Sequence, residues 1–468
     1  MKTKKMFFSL LLCVLMGAVQ GCGNSNKSSP SRPTLNLVGS KQGQSVGFAD
    51  VDGDGTPDKI VGAPYATTTS GNTGAVLVYK GTDMGFSATP EAILTGDDNL
   101  GYSFIRIGND FAVGAIHGDG NDVSLAGSVT IYKGGGNGRI ITKLSGEWPM
   151  DKFGYALASG DLNGDEIPDL AVGAPFNTND PNYYQGGAVY VFFGPDFTDG
   201  VALYASSTNS GLGWAVATGH VNDDDIDDLV ISATGKVLVF YGSSPAFAPD
   251  INPPDFTFKS AASGFGKAIS VIGDITGDGK GKIAIGAPTA VVSLNTVTSR
   301  DVGSVYVVSA ATGTQANLDT APTGTTGPFL TRLNGETLFS RFGSSITALG
   351  DIDGGGKPDF AVGAPMQDMN WNILSGTVYV FKGEDIAAGT PWANTSATDG
   401  MVKNQAYGTS LAAATLMTGP TGTMSALLIG APRSNADTGG VAMVDPATGQ
   451  SVAGGSSGGS GGGSGECH

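Results

Sequence analysis

One short motif recurs seven times along this chain and restricts the folds open to it. It consists of an aliphatic residue, then Gly or Ser, then Ala, with Pro usually following. The seven copies begin at Val61, Val113, Val172, Ile231, Ile285, Val362 and Ile429. Their spacings of about 52 to 77 residues match the length of a four-stranded sheet with its loops. A chain with seven such units is expected to form a ring of seven similar sheets.

Two further features flank these copies. An aromatic or apolar residue followed by Gly precedes most of them, as in Phe153-Gly154 and Phe342-Gly343, and a Gly-led Val/Tyr segment follows, as at 187–192. Together these features resemble the FG-GAP repeat of the integrin α-subunit β-propeller and its bacterial relatives, over about residues 34–449. The resemblance implies an all-β fold, a seven-bladed β-propeller of four-stranded antiparallel blades.

The strands of each blade can be assigned from the motifs. Phe-Gly opens the innermost strand, Gly-Ala-Pro ends the second, the Val/Tyr segment is the third, and a short outer segment is the fourth. Blade seven has no fourth-strand segment before the Gly/Ser-rich tail at 450–468. Residues 34–39 have the fourth-strand pattern and precede the first repeat. We therefore expect the N-terminal strand to complete the last blade, which would remove an exposed sheet edge.

Some loops between the first and second strands carry oxygen side chains at alternate positions. In the third repeat Asp161, Asn163, Asp165 and Asp169 stand at loop positions 1, 3, 5 and 9. Ca²⁺ takes six to eight oxygen ligands, and such spacing directs side chains toward one centre. An EF-hand would need Glu at position 12 and a helix afterwards, whereas a β-branched strand follows here. The pattern predicts a calcium site between two strands.

The loops differ in how complete this ligand set is. The first repeat matches the third, and the sixth has Gly355 at position 5, where a water must replace the ligand. Blade five has Thr276 and Lys282, whose ammonium could neutralise the carboxylates, and blade four begins with His220, so both loops are uncertain. Blades two and seven lack the loop. The predicted metal ligands, with position 7 included, are Asp50, Asp52, Asp54, Thr56 and Asp58; Asp161, Asn163, Asp165, Ile167 and Asp169; and Asp351, Asp353 and Asp359.

The alternative for these loops is an Asp/Gly-rich turn that uses side-chain hydrogen bonds and holds no metal. Three or four carboxylates gathered within a few ångströms would repel one another or take up protons unless a cation lay among them. We therefore expect Ca²⁺ in a structural role, with the dissociation constant of about 10⁻⁴ to 10⁻³ M typical of extracellular modules.

The N-terminus has the pattern of an export signal. A basic start and an apolar run lead to Cys22 within residues 1–22, and 23–33 reads as a flexible tether. A Cys at this place resembles the lipobox of bacterial lipoproteins, so Cys22 is the expected lipidation site. The alternative is an ordinary cleaved signal. The resemblance implies an exported outer-membrane lipoprotein, on the periplasmic or cell-surface face, held to the membrane by its lipid alone.

Composition excludes some partners. The formal net charge is −17, and charged residues make up 14% of the chain. Non-specific nucleic-acid binding requires clustered Lys and Arg, so no nucleic-acid partner is expected. The chain has three cysteines; Cys13 lies in the expected signal and Cys22 is the expected lipidation site, which leaves Cys467 without a partner. Disulfides therefore do not hold the fold, which we expect to be a monomeric propeller.

The integrin resemblance places ligand binding on the rim opposite the calcium loops. Exposed aromatic residues and one Arg are the candidate ligand-binding residues there, although each could instead cover the apolar edge of its own blade: Trp148, Tyr183, Tyr184, Arg341 and Trp371. We expect an interaction or adhesion scaffold for a protein or glycan. The alternative is a carbohydrate-active enzyme, lyase or hydrolase, or a lectin. No catalytic residue is assigned, and the sequence around His117 and Asp119 could be a polar turn, a cation site or a base.

Overall fold

The computed structural model describes most of the chain between residues 35 and 451. The described ranges are 35–68, 71–82, 85–119, 123–178, 185–244, 247, 253–294, 297–299, 301–310, 314–320, 329–367, 375–388, 390, 396–399, 405–417, 423–433, 439–448 and 450–451. Cys22, Tyr183, Tyr184, Trp371 and Cys467 lie outside them, so the predictions made for these residues stay predictions.

Seven antiparallel sheets form the molecule, and each runs outward from a first strand to a third or fourth. The strands of blades one to three are Val46–Ala49, Asp58–Ala63, Ala75–Tyr79 and Ala92–Thr95; Leu100–Ile107, Asp110–Ala115, Ser128–Tyr132 and Ile140–Ser145; and Ala156–Gly160, Asp169–Ala174, Ala188–Phe192 and Gly200–Tyr204. The strands of blades four and five are Val216–Gly219, Asp228–Ala233, Lys236–Phe240 and Phe256–Lys259; and Ala268–Gly273, Lys282–Ala287, Ser304–Val308 and Phe329–Asn334. Those of blades six and seven are Ser345–Gly350, Asp359–Ala364, Thr377–Phe381 and Ser396–Asp399; and Ser410–Met417, Thr423–Gly430 and Val441–Val444. The predicted all-β, seven-bladed propeller is confirmed.

A few elements lie outside this plan. A fifth strand, Gln315–Asn317, pairs in parallel with the fourth strand of blade four. Three short hairpins are formed by Thr67–Thr68 with Gly71–Asn72, Gly81–Thr82 with Gly85–Phe86, and Val292–Leu294 with Val297–Ser299. In the described ranges a single helix, Gly383–Ala387, follows the third strand of blade six. In the part of the chain that the structure describes, no helix is long and apolar enough to cross a membrane.

The hydrophobic core lies between neighbouring blades. Every residue of the second strand Asp169–Ala174 and of the third strand Ala188–Phe192 is buried. Both faces of these strands are covered, since one packs toward blade two and the other toward blade four. Strands covered on both faces are apolar in runs and rich in β-branched residues. This accounts for the repeated Val, Ile, Tyr and Phe segments.

The Phe-Gly and Gly-led motifs meet at the contacts between blades. Gly187, just before the third strand of blade three, pairs in parallel with Leu212 at the start of blade four. Gly187 has a φ of +87°, and a Cβ there would collide with the backbone of Leu212. The same bridge joins Gly439 of blade seven to Gln42 before blade one. The ring therefore closes through the contact that joins other neighbouring blades.

One prediction about closure is wrong. The N-terminal segment does not complete blade seven, because Asn36 pairs with Thr67 in blade one. Leu35 and Leu37 pack against apolar groups that include side chains of blades one and seven, such as Ala75 and Met443. The fourth-strand pattern of residues 34–39 therefore belongs to a segment whose leucines cover the junction between two blades. The outer edge of blade seven pairs with Ser451 instead.

Candidate calcium loops and binding rim

Five blades connect their first and second strands by eight-residue loops that share one sequence plan. The loops are residues 50–57, 161–168, 220–227, 274–281 and 351–358. Blade two has only Gly108 and Asn109 at this place, as predicted. Loop position 9 is the first residue of the second strand, so the pairing of that strand holds position 9 in place.

The carboxylate at position 9 is buried and bonded at both oxygens. Asp169 accepts the backbone N–H of Leu162 at 3.0 Å and that of Gly194, after the third strand, at 3.0 Å. Asp58, Asp228 and Asp359 make the same pair of bonds in their blades. Burial raises the pKa of Asp169 to about 6 despite these bonds. The position-9 aspartate therefore links the beginning of the loop to the connection that follows the third strand.

The carboxylate at position 1 organises the turn itself. Asp161 accepts N–H groups from Gly164 at 2.7 Å and from Glu166 at 2.7 Å. The same two loop positions donate to the position-1 carboxylates of blades one, five and six: Asp50, Asp274 and Asp351. Position 5 makes a looser contact, because Asp165 is exposed and its carboxylate accepts the N–H of Ile167 at 2.9 Å. The Asx hydrogen bonds predicted for a metal-free turn are therefore present.

The carboxylates of two loops are also gathered closely enough to share a cation. One ligand oxygen from each of Asp50, Asp52 and Asp54 lies within 4.8 Å of the others, and Asp351, Asp353 and Asp359 form a second such group. Carboxylate oxygens at this spacing fit a hard cation such as Ca²⁺. The chemistry of the donors therefore agrees with the predicted sites of blades one and six, and blade three has the same hydrogen-bonding plan.

Lysines lie at three of the loops. Lys80 pairs with Asp52 and, at 3.0 Å, with Asp54, and this pairing lowers the pKa of Asp54. Lys382 lies 2.8 Å from Asp353 in blade six. In blade five the buried Lys282 lies 2.6 Å from Asp278 and 3.6 Å from Asp274, as the sequence had suggested.

Blade three differs from these because Phe193 follows its third strand, where blades one and six have Lys80 and Lys382. In blade four, His220 lies 3.4 Å from Asp227. The loops therefore differ in the number of basic side chains that lie beside their carboxylates.

The opposite rim holds two of the predicted ligand-binding residues. Trp148 is 42% exposed, and its backbone N–H donates to Asp151 at 3.0 Å. Arg341 is half-buried, with a φ of +54°, beside Phe339, which is 57% exposed. These residues precede blades three and six, so the structure does not bring them together.

A group of aromatic residues that the sequence analysis missed lies on this rim. We call Tyr102, Tyr155, Phe176 and Trp214 the aromatic arc. Ring centroids are 5.3 Å apart for Tyr102 and Tyr155, 5.0 Å for Tyr155 and Trp214, and 5.1 Å for Phe176 and Trp214. Three of the four directly follow a Phe-Gly or Leu-Gly dipeptide, so aligning the repeats at that dipeptide would have found them.

Lysines and a hollow adjoin the arc. Lys152 Nζ is 4.5 Å from the Phe176 ring centroid, and Lys267 Nζ is 3.2 Å from that of Trp214. Blade four joins its second and third strands by only Thr234 and Gly235, and a hollow of about 420 Å³ beside Trp214 is lined by residues of this turn. Aromatic rings with nearby ammonium and hydroxyl groups are typical of recognition surfaces.

Comparison with known families agrees with the repeats seen in the fold. The FG-GAP repeat model matches residues 42–79, 153–192 and 342–381. These are the blades whose loops carry the predicted calcium ligands. The chain therefore contains three FG-GAP repeats in a β-propeller that is similar to that of integrin α subunits.

Particular relatives show the extent of the similarity. Integrin alpha-PS5 of Drosophila melanogaster is 28% identical over 261 residues, which is 49% of this chain and 25% of the relative. Phosphatidylinositol-glycan-specific phospholipase D of Bos taurus is 26% identical over 416 residues, 76% of this chain and 47% of the relative. The chain thus spans a quarter to about half of these proteins.

A solved structure shares the fold alone. The crystal structure of BBS1N in complex with ARL6DN, soaked with lead, superposes with a TM-score of 0.51 at 12% identity, covering 90% of this chain and 98% of that chain.

Proposed function

We propose that this protein is a calcium-stabilised interaction scaffold that binds a protein or polysaccharide partner through the rim opposite its calcium loops. The observation that carries the proposal is the separation of two surfaces. Acidic loops of several blades lie at one end of the strands, and the aromatic arc with the hollow at Trp214 lies at the other. Calcium would stabilise the ring, while the rim remains available for a partner.

We further propose that the protein is exported and tethered by lipid at Cys22, so that Ca²⁺ at extracellular concentrations supports the sites. The residues that would hold calcium are those at positions 1, 3, 5, 7 and 9 of the loops in blades one and three, with Asp351, Asp353 and Asp359 in blade six. We propose a structural role for them, because these loops connect the first and second strands and position 9 also bonds to the connection after the third strand.

Binding without turnover is proposed over catalysis. Asp119, a rim carboxylate considered for catalysis, accepts the backbone N–H of Leu125 at 2.9 Å, which is the arrangement of a polar turn. The similarity to a phospholipase D covers less than half of that protein, so its activity is not assigned to this chain.

The test compares Trp214→Ala and Tyr155→Ala with a control on the outer strand of blade two, Ile140→Ala, a residue that is 56% exposed. Binding to immobilised alginate, dextran and biotinylated cell-surface proteins is measured in calcium. We expect one class to be retained by the parent and by the control, lost in the arc variants, and not cleaved during the assay. Release of reducing ends or other product from the bound material would contradict the proposal, as would unchanged binding by both arc variants.

A further inference from the structure

The calcium loop of blade six lacks the side chain that the related loops have at position 5. Gly355 stands where blades one, three and five have Asp54, Asp165 and Asp278. The sequence led us to expect a water there. In the structure, a Cβ added to Gly355 would collide with the carboxylate of Glu384 and would lie 3.0 Å from Asp353 Oδ1. Glu384 therefore fills the space into which a position-5 side chain would project.

Glu384 reaches the loop from the connection that follows the third strand. It lies in the short helix Gly383–Ala387, which directly follows the third strand. Gly383 donates its N–H to Asp359 at 2.9 Å, and Glu384 Oε1 accepts the N–H of Lys357, loop position 7, at 3.1 Å. The residue before Glu384 is thus bonded to the predicted ligand Asp359, and the Glu384 carboxylate is bonded to the calcium loop of blade six.

Blades one, three and four have no acid at the equivalent place. The glycine that donates to the position-9 carboxylate is Gly81, Gly194 and Gly242 in blades one, three and four. The residues that follow these glycines are Thr82, Pro195 and Ser243. Of these four blades, the one whose loop lacks an acidic position 5 is the one with Glu after this glycine.

The second oxygen of Glu384 has no assigned role within the protein. Oε2 is buried and has no hydrogen-bond partner among the described residues. Leaving a buried carboxylate oxygen without a partner is unfavourable, and such atoms usually indicate an ion, a water or a functional role. The carboxylate lies on the same side of Gly355 as Asp353, a member of the close group of acids in this blade, and a cation held by that group would give this oxygen a partner.

We propose that Glu384 is a calcium ligand of blade six and takes the place of the missing position-5 aspartate. The inference rests on the calcium sites of the proposed function. It changes the expectation for blade six from a partial site with a water to a site completed by a residue 29 positions beyond Gly355 in sequence. Blade six would then bind Ca²⁺ with carboxylates from two separate connections.

The experiment first weakens the other two calcium sites, so that blade six can be measured alone. It then moves the acidic side chain from position 384 to position 355. Asp54→Ala and Asp165→Ala weaken the sites of blades one and three, and calcium binding to this background is measured by calorimetric titration. Adding Glu384→Ala should weaken the remaining affinity by about tenfold, because one charged ligand is lost. Adding Gly355→Asp to that variant should restore it. Gly355 does not have a positive φ, so the backbone accepts Asp once Glu384 is shortened.

The outcomes separate this inference from the proposed function. Melting of the Glu384→Ala background in chelator measures any purely structural loss, which must be smaller than the loss in calcium. Unchanged affinity after Glu384→Ala, or failure of Gly355→Asp to restore it in a folded variant, overturns the role of Glu384. If the unmodified protein binds Ca²⁺ and the background does not, blade six is not a site and the inference fails while the proposed function stands. If the unmodified protein binds no Ca²⁺, the proposed function itself fails.

Discussion

Two aspartates of the blade-three loop should respond differently to calcium. Asp169→Ala leaves the buried N–H groups of Leu162 and Gly194 without their acceptor, at about 1–3 kcal/mol each. Part of this loss is offset, because the folded protein no longer holds a carboxyl whose pKa is raised by burial. We expect a net loss of about 2 kcal/mol in the free energy of unfolding in chelator, and a larger loss in calcium because Asp169 is also a predicted ligand.

Asp165→Ala should act only through the metal. Asp165 is exposed and accepts the single N–H of Ile167. In chelator its removal should cost less than about 0.5 kcal/mol, as for most surface substitutions. With calcium at about 100 times the dissociation constant, loss of the site should remove about 2.7 kcal/mol of stabilisation.

Differential scanning calorimetry distinguishes the two variants. For a propeller of about 400 residues the unfolding entropy is about 0.8 kcal/mol/K, so 2 to 3 kcal/mol corresponds to about 3 °C. Asp169→Ala should melt lower than the parent in both chelator and calcium, whereas Asp165→Ala should do so only in calcium. Equal deficits for Asp165→Ala in both conditions would refute its role as a ligand. A normal melting temperature for Asp169→Ala in chelator would refute the structural role of position 9.

Three other substitutions test separate parts of the account. Lys80→Met removes the ammonium that pairs with Asp52 and Asp54 and should tighten calcium binding in blade one about two- to fivefold by titration; weaker binding would show that Lys80 assists the site. Lys59→Met should raise stability by about 2 kcal/mol at pH 7, because burial lowers the pKa of Lys59 to about 8. Since the unfolded chain then binds more protons between about pH 8 and 10.5, the parent gains stability there and the advantage should shrink; a constant advantage would contradict this. Burial raises the pKa of Asp151 to about 7, so the parent should lose stability as pH rises from about 4 to 7, and Asp151→Asn should lose less; parallel melting profiles would refute this.

Much of the fold could be predicted because its motifs are local. Gly187 and Leu212 meet at a contact between blades, and equivalent contacts impose the same short motifs on neighbouring blades. The eight-residue loops could be recognised for the same reason, since Asp161 accepts backbone N–H groups three and five residues away and Asp169 accepts one seven residues away.

The features that were missed depend on residues distant in sequence. The alternation of Leu35 and Leu37 fits any half-buried edge, and tertiary packing decided that they cover the junction of blades one and seven. Glu384 approaches Gly355 from another connection, so loop spacing could not reveal it. The aromatic arc likewise forms only when blades two, three and four are placed side by side.

The central claim, that calcium bound in the first-to-second loops stabilises the propeller, is tested most directly by one calorimetric Ca²⁺ titration of the purified protein, paired with melting in calcium and in chelator. The account predicts three sites, in blades one, three and six, and a clear rise in melting temperature with calcium. Absence of binding, with identical melting in calcium and chelator, would contradict it and leave the aspartate loops as hydrogen-bonded turns.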